Sequence, residues 1–154
     1  ATMGLIDFGG YAFNSMRMEK MYRAWGNEFT EEISGVEAGM ERFIDTDRDF
    51  IGKENILHRC SQGVDIQLAY LAFDDDIACE CFGNEAVYHS GELVGLTTGG
   101  AYGHRVGRSL AFAYLKPALV AQDVQLQVLT TSGMRNCHVE VDALYDPKNE
   151  RLRG

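Results

Sequence analysis

Residues 124–129 read VQLQVL, which puts Val124, Leu126 and Val128 on one side of an extended chain and Gln125 and Gln127 on the other. That alternation is the pattern of a strand with one face toward a core. Working outward, the same period of two recurs upstream in IQLAYLAF (66–73), EAVYH (85–89), ELVGLTT (92–98) and SLAFAYL (109–115), and downstream in HVEVDAL (138–144). Turns containing Gly, Asp or Pro separate these runs, so the pattern predicts an antiparallel sandwich or barrel over about residues 63–147.

Before Gly63 the texture is different. Residues 10–21 contain AFNSMRMEKM, rich in helix formers and free of internal Gly or Pro, and predict a short helix followed by a turn-like exit, YRAWGN (22–27). This helix is expected to pack against other chain or to dock as an N-terminal arm. A second helix is expected over about 52–62, with Ile56, Leu57 and Cys60 as its apolar stripe and Gly63 as its stop.

With 154 residues, 45% of them hydrophobic and 24% charged, the chain falls among ordinary soluble globular proteins. Its net charge of -9 disfavours nucleic acid and anionic membrane surfaces as partners, and no basic stripe offsets it. No apolar run suggests a membrane span, and residues 1–8 lack the regions of a signal peptide. Cys60, Cys79, Cys81 and Cys137 match no disulfide framework, so a reducing compartment is expected. Cys79 and Cys81 would share one face of a strand, but zinc-like spacing to two further ligands is missing. His58, His89, His104 and His138 form no i, i+4 pair, so no metal site is expected.

No GxSxG elbow, P-loop, HExxH or dinucleotide fingerprint occurs. The densest mixture of charge and aromatics is NSMRMEKMYRAWGNEF (14–29), which suits a ligand wall as well as a solvated amphipathic helix. NSMRMEKMYRAWGNE is similar to the folate-binding half of dimethylglycine and sarcosine dehydrogenases and, more loosely, to the glycine cleavage system T protein. Three further blocks resemble the same superfamily in the same order: GVEAGMERFI (35–44), TDRDFIGKENIL (46–57), and GELVGLTTGGAYGHRVGRSLAFAYLKP (91–117) followed by LYDPKNERLRG (144–154).

The resemblance implies an α+β fragment, mainly β. Residues 1–62, helical and N-terminal in this chain, would be the C-terminal remnant of an aminomethyltransferase folate-binding domain, and 63–154 an antiparallel Greek-key or jelly-roll-like β-barrel. It implies tetrahydrofolate as ligand, possibly polyglutamylated, with the carboxylate of Glu19 on the pterin. A pterin presents parallel N–H donors that suit an ionised carboxylate. Arg48 would hold a carbonyl or the glutamyl tail, and Tyr145 would stack or offer a hydroxyl. Glu37 matches a second carboxylate near the pocket, while Tyr22 and Trp25 would supply aromatic wall. Arg105 and Arg108 could also attract a glutamyl tail.

The implied reaction is one-carbon transfer, in which N5 of tetrahydrofolate attacks an activated methylene to give 5,10-methylenetetrahydrofolate. No catalytic residue is expected in this chain, because the family's general acid/base aspartate lies in an N-terminal portion that has no match here. The chain is therefore expected to be inactive alone and to need the missing N-terminal domains as partner. FAD would belong only to a dehydrogenase parent, since its fingerprint is absent. The setting implied is bacterial cytoplasm or mitochondrial matrix. The T protein or a related folate-dependent demethylase is the alternative enzyme reading, and a folate-binding or structural docking barrel the non-enzyme one.

Overall fold

A computed structural model of the chain describes residues 3–4, 6–79 and 81–154. The elements run α1 (Gly10–Glu19), α2 (Lys53–Gln62), β1 (Gln67–Phe73), β2 (Ala86–His89), β3 (Glu92–Gly103), β4 (Arg108–Leu115), β5 (Gln125–Thr130), β6 (Gly133–Glu140) and α3 (Glu150–Arg153). Short 3₁₀ turns lie at Glu41–Phe43 and Pro117–Leu119.

The six strands close into an antiparallel barrel in the order β1-β4-β3-β2-β5-β6, with β1 paired to both β4 and β6. Strands β2, β3 and β4 follow one another as neighbours, and β1 returns beside β4, which is the Greek-key connection. Closure leaves every strand with a partner on each side and no free edge.

Two apolar clusters explain the strand sequences. One fills the barrel, with Leu71, Phe73, Val87, Leu115, Val128 and Val139 among its members. The other lies outside the barrel wall, where Met18 of α1 meets Leu68, Tyr70, Leu110 and Phe112. Strands β1 and β4 are thus covered on both faces and read as nearly continuous apolar runs, whereas β5, with solvent outside, keeps strict alternation.

Helix α1 docks through Ser15, Arg17, Met18 and Glu19, which are buried, while Tyr11 and Phe13 face outward. Asn14 Nδ2 donates to the Gly100 carbonyl at 2.9 Å and Ser15 Oγ to the Tyr102 carbonyl at 2.7 Å, fixing the helix along β3. The helix closes with a Schellman pattern: Tyr22 N–H donates to the Arg17 carbonyl at 2.8 Å, and Met21 N–H to that of Met18 at 3.0 Å. Met21 occupies the left-handed position, φ 56°, that glycine commonly takes. By contrast α2 buries none of its residues; Cys60 is exposed and the expected stripe does not pack on the barrel.

Two differences from the sequence expectation concern local register. Strand β6 begins at Gly133 and ends at Glu140, so 141–144 leave the sheet. Cys79 and Cys81 lie in the irregular segment between β1 and β2 rather than in a strand, and both are buried, as is Cys137. Burial pushes the Cys137 thiol up to about 12 and that of Cys81 upward too, which makes both unreactive packing groups at neutral pH.

Candidate functional site

The exit of α1 and the segment after β6 are joined by three successive ties. The Glu19 carbonyl accepts the Tyr145 N–H at 3.1 Å. Lys20 Nζ donates to the Asp146 carbonyl at 2.6 Å and to Asp146 Oδ2 at 3.0 Å. Tyr22 donates its hydroxyl proton to Asn149 Oδ1 at 3.0 Å. Burial works to raise the Asp146 carboxyl, but the hydrogen bonds from Lys20 and the Arg151 N–H prevail and hold it below the usual carboxylate range.

Beside this seam lies a cleft of about 430 Å³. Its apolar lining includes Met21, Phe29, Met40 and Phe43, and its charged lining comprises Lys20, Arg23 and Arg42 against Asp142 and Asp146. Arg23 packs 5.8 Å from the Phe112 ring centroid, and its Nη1 donates to the Met21 carbonyl at 2.9 Å. Burial, and then the neighbouring Arg42, lower the Arg23 pKa from its ordinary value.

Glu19 stands at the end of α1 with only 3% of its surface exposed. Its Oε1 accepts the backbone N–H groups of Arg105 and Val106, the latter at 3.2 Å, in the turn between β3 and β4. Gly103 makes that approach possible: a Cβ there would lie 2.9 Å from Glu19 Cγ and 2.7 Å from Val106 Cγ2. Glu19 Oε2 accepts no hydrogen bond from the described residues, so half of the carboxylate remains available. The ring of Tyr145 is surrounded by Lys20, Arg105 and Arg151, each within 5.9 Å of its centroid.

A buried ion pair supports the loop that carries these groups. Arg17 Nη1 donates to Glu28 Oε2 at 2.8 Å and to the Tyr22 carbonyl at 3.1 Å. Glu28 also accepts the Ala24 N–H and the Thr98 hydroxyl, both at 2.8 Å, and its carbonyl accepts the Tyr114 hydroxyl at 2.7 Å.

Of the residues singled out in the sequence, Glu19, Tyr22 and Tyr145 are brought together at the seam. The others are not. Arg48 is 85% exposed in its side chain and pairs with Asp45 at 3.1 Å. Glu37 accepts the Ser34 N–H at 2.7 Å and pairs with Arg59 at 2.9 Å, the local capping role open to a carboxylate. Trp25 is 76% exposed on the loop to Phe29 and does not line the cleft. Sequence reasoning quoted Arg42 within GVEAGMERFI and Asp146 and Asn149 within LYDPKNERLRG but singled out none of them, because their partners or cleft neighbours are distant in the chain.

Among the described residues, no cluster of His, Cys, Asp and Glu could hold a metal ion, and no helix is long and apolar enough to cross a membrane. Residues 67–146 match the glycine cleavage T-protein C-terminal barrel domain, and residues 1–48 match the GCVT N-terminal domain. The chain is similar to mouse (Mus musculus) mitochondrial dimethylglycine dehydrogenase, with 37% identity over 97% of this chain and 18% of the relative. Mouse mitochondrial sarcosine dehydrogenase is 26% identical over 100% of this chain and 18% of its own length. The chain thus spans about 18% of the length of the dehydrogenases it matches. The crystal structure of glycine cleavage system aminomethyltransferase T from Bartonella henselae shares the fold, with a TM-score of 0.79 over 88% of this chain and 38% of that one at 16% identity. The closed barrel, the docked helix and these matches together place the chain in the glycine cleavage T-protein family, as a C-terminal barrel domain related to the dimethylglycine and sarcosine dehydrogenases.

Proposed function

We propose that this chain forms the C-terminal part of a tetrahydrofolate-dependent aminomethyltransferase-type module, in a dimethylglycine or sarcosine dehydrogenase-like parent with its own FAD domain. The module captures a one-carbon unit as 5,10-methylenetetrahydrofolate. Residues 1–62 are the end of the folate-binding domain and 63–154 the barrel that closes it. One observation carries this reading: Glu19 is buried and its carboxylate is held through Oε1 alone, while Oε2 accepts no hydrogen bond from the described residues.

A carboxylate so placed is preorganised to accept N–H donors of a pterin, since its orientation is fixed before a ligand arrives. Tyr22 and the apolar lining of the neighbouring cleft, which Glu19 and Tyr145 adjoin in sequence but do not line, offer ring contacts, and its volume falls in the range of small-molecule sites. Arg48, Glu37 and Trp25 belong to this proposal only as outlying residues, because Arg48 pairs with Asp45, Glu37 is engaged by Ser34 and Arg59, and Trp25 is largely exposed. The proton-transfer group and the water-excluding lid come from further domains. The outward apolar face of α1, with Tyr11 76% and Phe13 56% exposed, is suited to meet such a domain.

Calorimetric titration with 5-formyltetrahydrofolate, a stable reduced folate, tests the reading. Glu19→Gln keeps an oxygen for the Arg105 and Val106 amides but removes the charge. A charge-assisted contact contributes roughly 1.5–3 kcal/mol, so the variant is expected to bind at least about tenfold more weakly. Equal affinity in Glu19→Gln, or no binding by either this chain or a longer protein containing it, rejects the proposal.

A further inference from the structure

We infer that the outer face of β3 at Gly99 is a docking notch for the main-chain carbonyl of an extended peptide segment, which Arg17 and Asn27 would hold. The inference stands apart from the folate reading.

Packing accounts for Gly95, Gly100 and Gly103 of β3: a Cβ would run into the Tyr114 carbonyl, the Leu110 carbonyl and the Val106 side chain respectively. Gly99 has no such reason. Its φ lies outside the left-handed region, and a Cβ there would meet only Asn27 Nδ2 at 3.6 Å and Arg17 Nη2 at 3.9 Å, ordinary contact distances. A glycine standing where a side chain fits costs the strand packing and chain entropy, and marks a place that another backbone approaches closely. The β3–β4 register shifts between Thr97 and Gly99, and such bulges often lie beside binding sites.

The two atoms facing the bare Cα are hydrogen-bond donors with nothing to donate to. Arg17 is 6% exposed; its Nε donates to Asn14 Oδ1 at 2.7 Å and its Nη1 to Glu28 and the Tyr22 carbonyl, but Nη2 is hidden from solvent without a partner. Asn27, exposed in the loop after α1, donates its side-chain amide to none of the described residues, so it can turn aside to admit an acceptor. Orphaned N–H groups of a buried charged side chain are costly, and any acceptor that reaches them relieves the cost. Glu28 already balances the Arg17 charge and would repel a second anion, so the fitting acceptor is neutral. A peptide carbonyl is such an acceptor, with two lone pairs for two donors.

The surroundings suit a peptide as well. Two segments reach Thr98, the residue before Gly99. One is the loop after α1, whose Glu28 accepts the Thr98 hydroxyl at 2.8 Å; the other is the turn before β2, where a Cβ on Gly83 would lie 2.9 Å from the Thr98 carbonyl oxygen. Each carries a large apolar side chain in solvent, Trp25 at 76% and Phe82 at 70% exposure. Apolar anchors around a sheltered polar centre suit a protein-docking surface.

Gly99→Ala is the diagnostic variant, because it fills the notch with one methyl at contact distance and leaves Arg17, Glu28 and the sheet in place. The probe is the neutral capped peptide N-acetyl-Leu-Ala-Leu-N-methylamide, titrated at millimolar concentration into isotope-labelled chain and followed by NMR of the amides of residues 24–28 and 97–101 and of the Arg17 guanidinium. Wild type is expected to show saturable shifts at these groups. Binding is expected to weaken about tenfold in Asn27→Ala and to vanish in Gly99→Ala, whose urea midpoint equals or exceeds that of wild type. No saturable shift in wild type, or unchanged binding in either variant, overturns the inference. So does equal affinity for acetate, which would make the notch an anion site. A lower urea midpoint in Gly99→Ala overturns it too, since the fold itself would then need the glycine.

Discussion

Glu28 shows how much of the site depends on one side chain that touches no solvent. It is fully buried, and its carboxylate accepts three hydrogen bonds, from Arg17, Ala24 and Thr98. The favourable energy of such a pair is largely offset by the cost of desolvating both ions, but removing one partner strands the other. Glu28→Ala is therefore expected to destabilise the chain by about 3–5 kcal/mol, measured as a shift in urea midpoint at constant slope. A loss below about 1 kcal/mol would mean that the Arg17 guanidinium finds water instead. At this scale the sequence singled out Glu19, Tyr22 and Tyr145, which the fold brings to one seam. It was silent where the partner lay far along the chain: Arg105 stands 86 residues from Glu19, and Asp146 stands 126 from Lys20.

Strand β6 carries the clearest contest between pattern and packing. The apolar alternation of HVEVDAL points to a strand over 138–144, yet the ladder runs over Gly133–Glu140. The reason is Arg135, a charged residue on the buried side of β6, which pairs with Asp75, donates to the Ile77 carbonyl at 2.9 Å and lies 5.1 Å from the Phe73 ring centroid. Its hydrogen bonds hold the Asp75 carboxyl below the usual range. An inward arginine breaks the polar–apolar code on which strand reading rests, whereas β1 and β5 obeyed theirs and were found within a residue or so.

The same strand positions His138 between Asp74 Oδ1 at 2.6 Å and Glu140 Oε1 at 3.2 Å, where β6 meets the end of β1. Burial works to lower the imidazole pKa, but the two carboxylates outweigh it and the net shift is upward. The stabilisation from this clasp is therefore complete below the unfolded value of about 6.5 and fades as pH rises through the higher folded value. Solvent screening limits it to under about 1 kcal/mol. Denaturation of wild type and His138→Gln from pH 6 to 9 should show a stability difference that shrinks with rising pH; a constant difference would rule out the charge as its source.

In the molecule as a whole, residues 1–62 lie ahead of the barrel. The packing divides that stretch: α1 shares an apolar cluster with β1 and β4, while α2 buries nothing. A ten-residue helix without tertiary cover is marginal in water. Hydrogen exchange should accordingly protect the amides of Arg17, Met18 and Glu19 together with those of the barrel, and leave α2 exchanging orders of magnitude faster. Comparable protection in both helices would refute this division. The barrel itself was legible because six alternating runs and their turns are local signals. Its closure was not, since nothing in the sequence states that β1 lies between β4 and β6.

The seam between the α1 exit and residues 145–149 has a mechanical consequence. Tension applied at the two chain ends acts on α1 and on the tail after β6, and thus reaches a few discrete contacts before it reaches the sheet: Lys20 with Asp146, Tyr22 with Asn149, and the anchors of Asn14 and Ser15 on β3. These contacts can break singly, whereas the closed ladder resists as a unit. Under load the protein would open like a clasped ring: the latch gives way first, the cleft disappears with it, and the hoop keeps its shape.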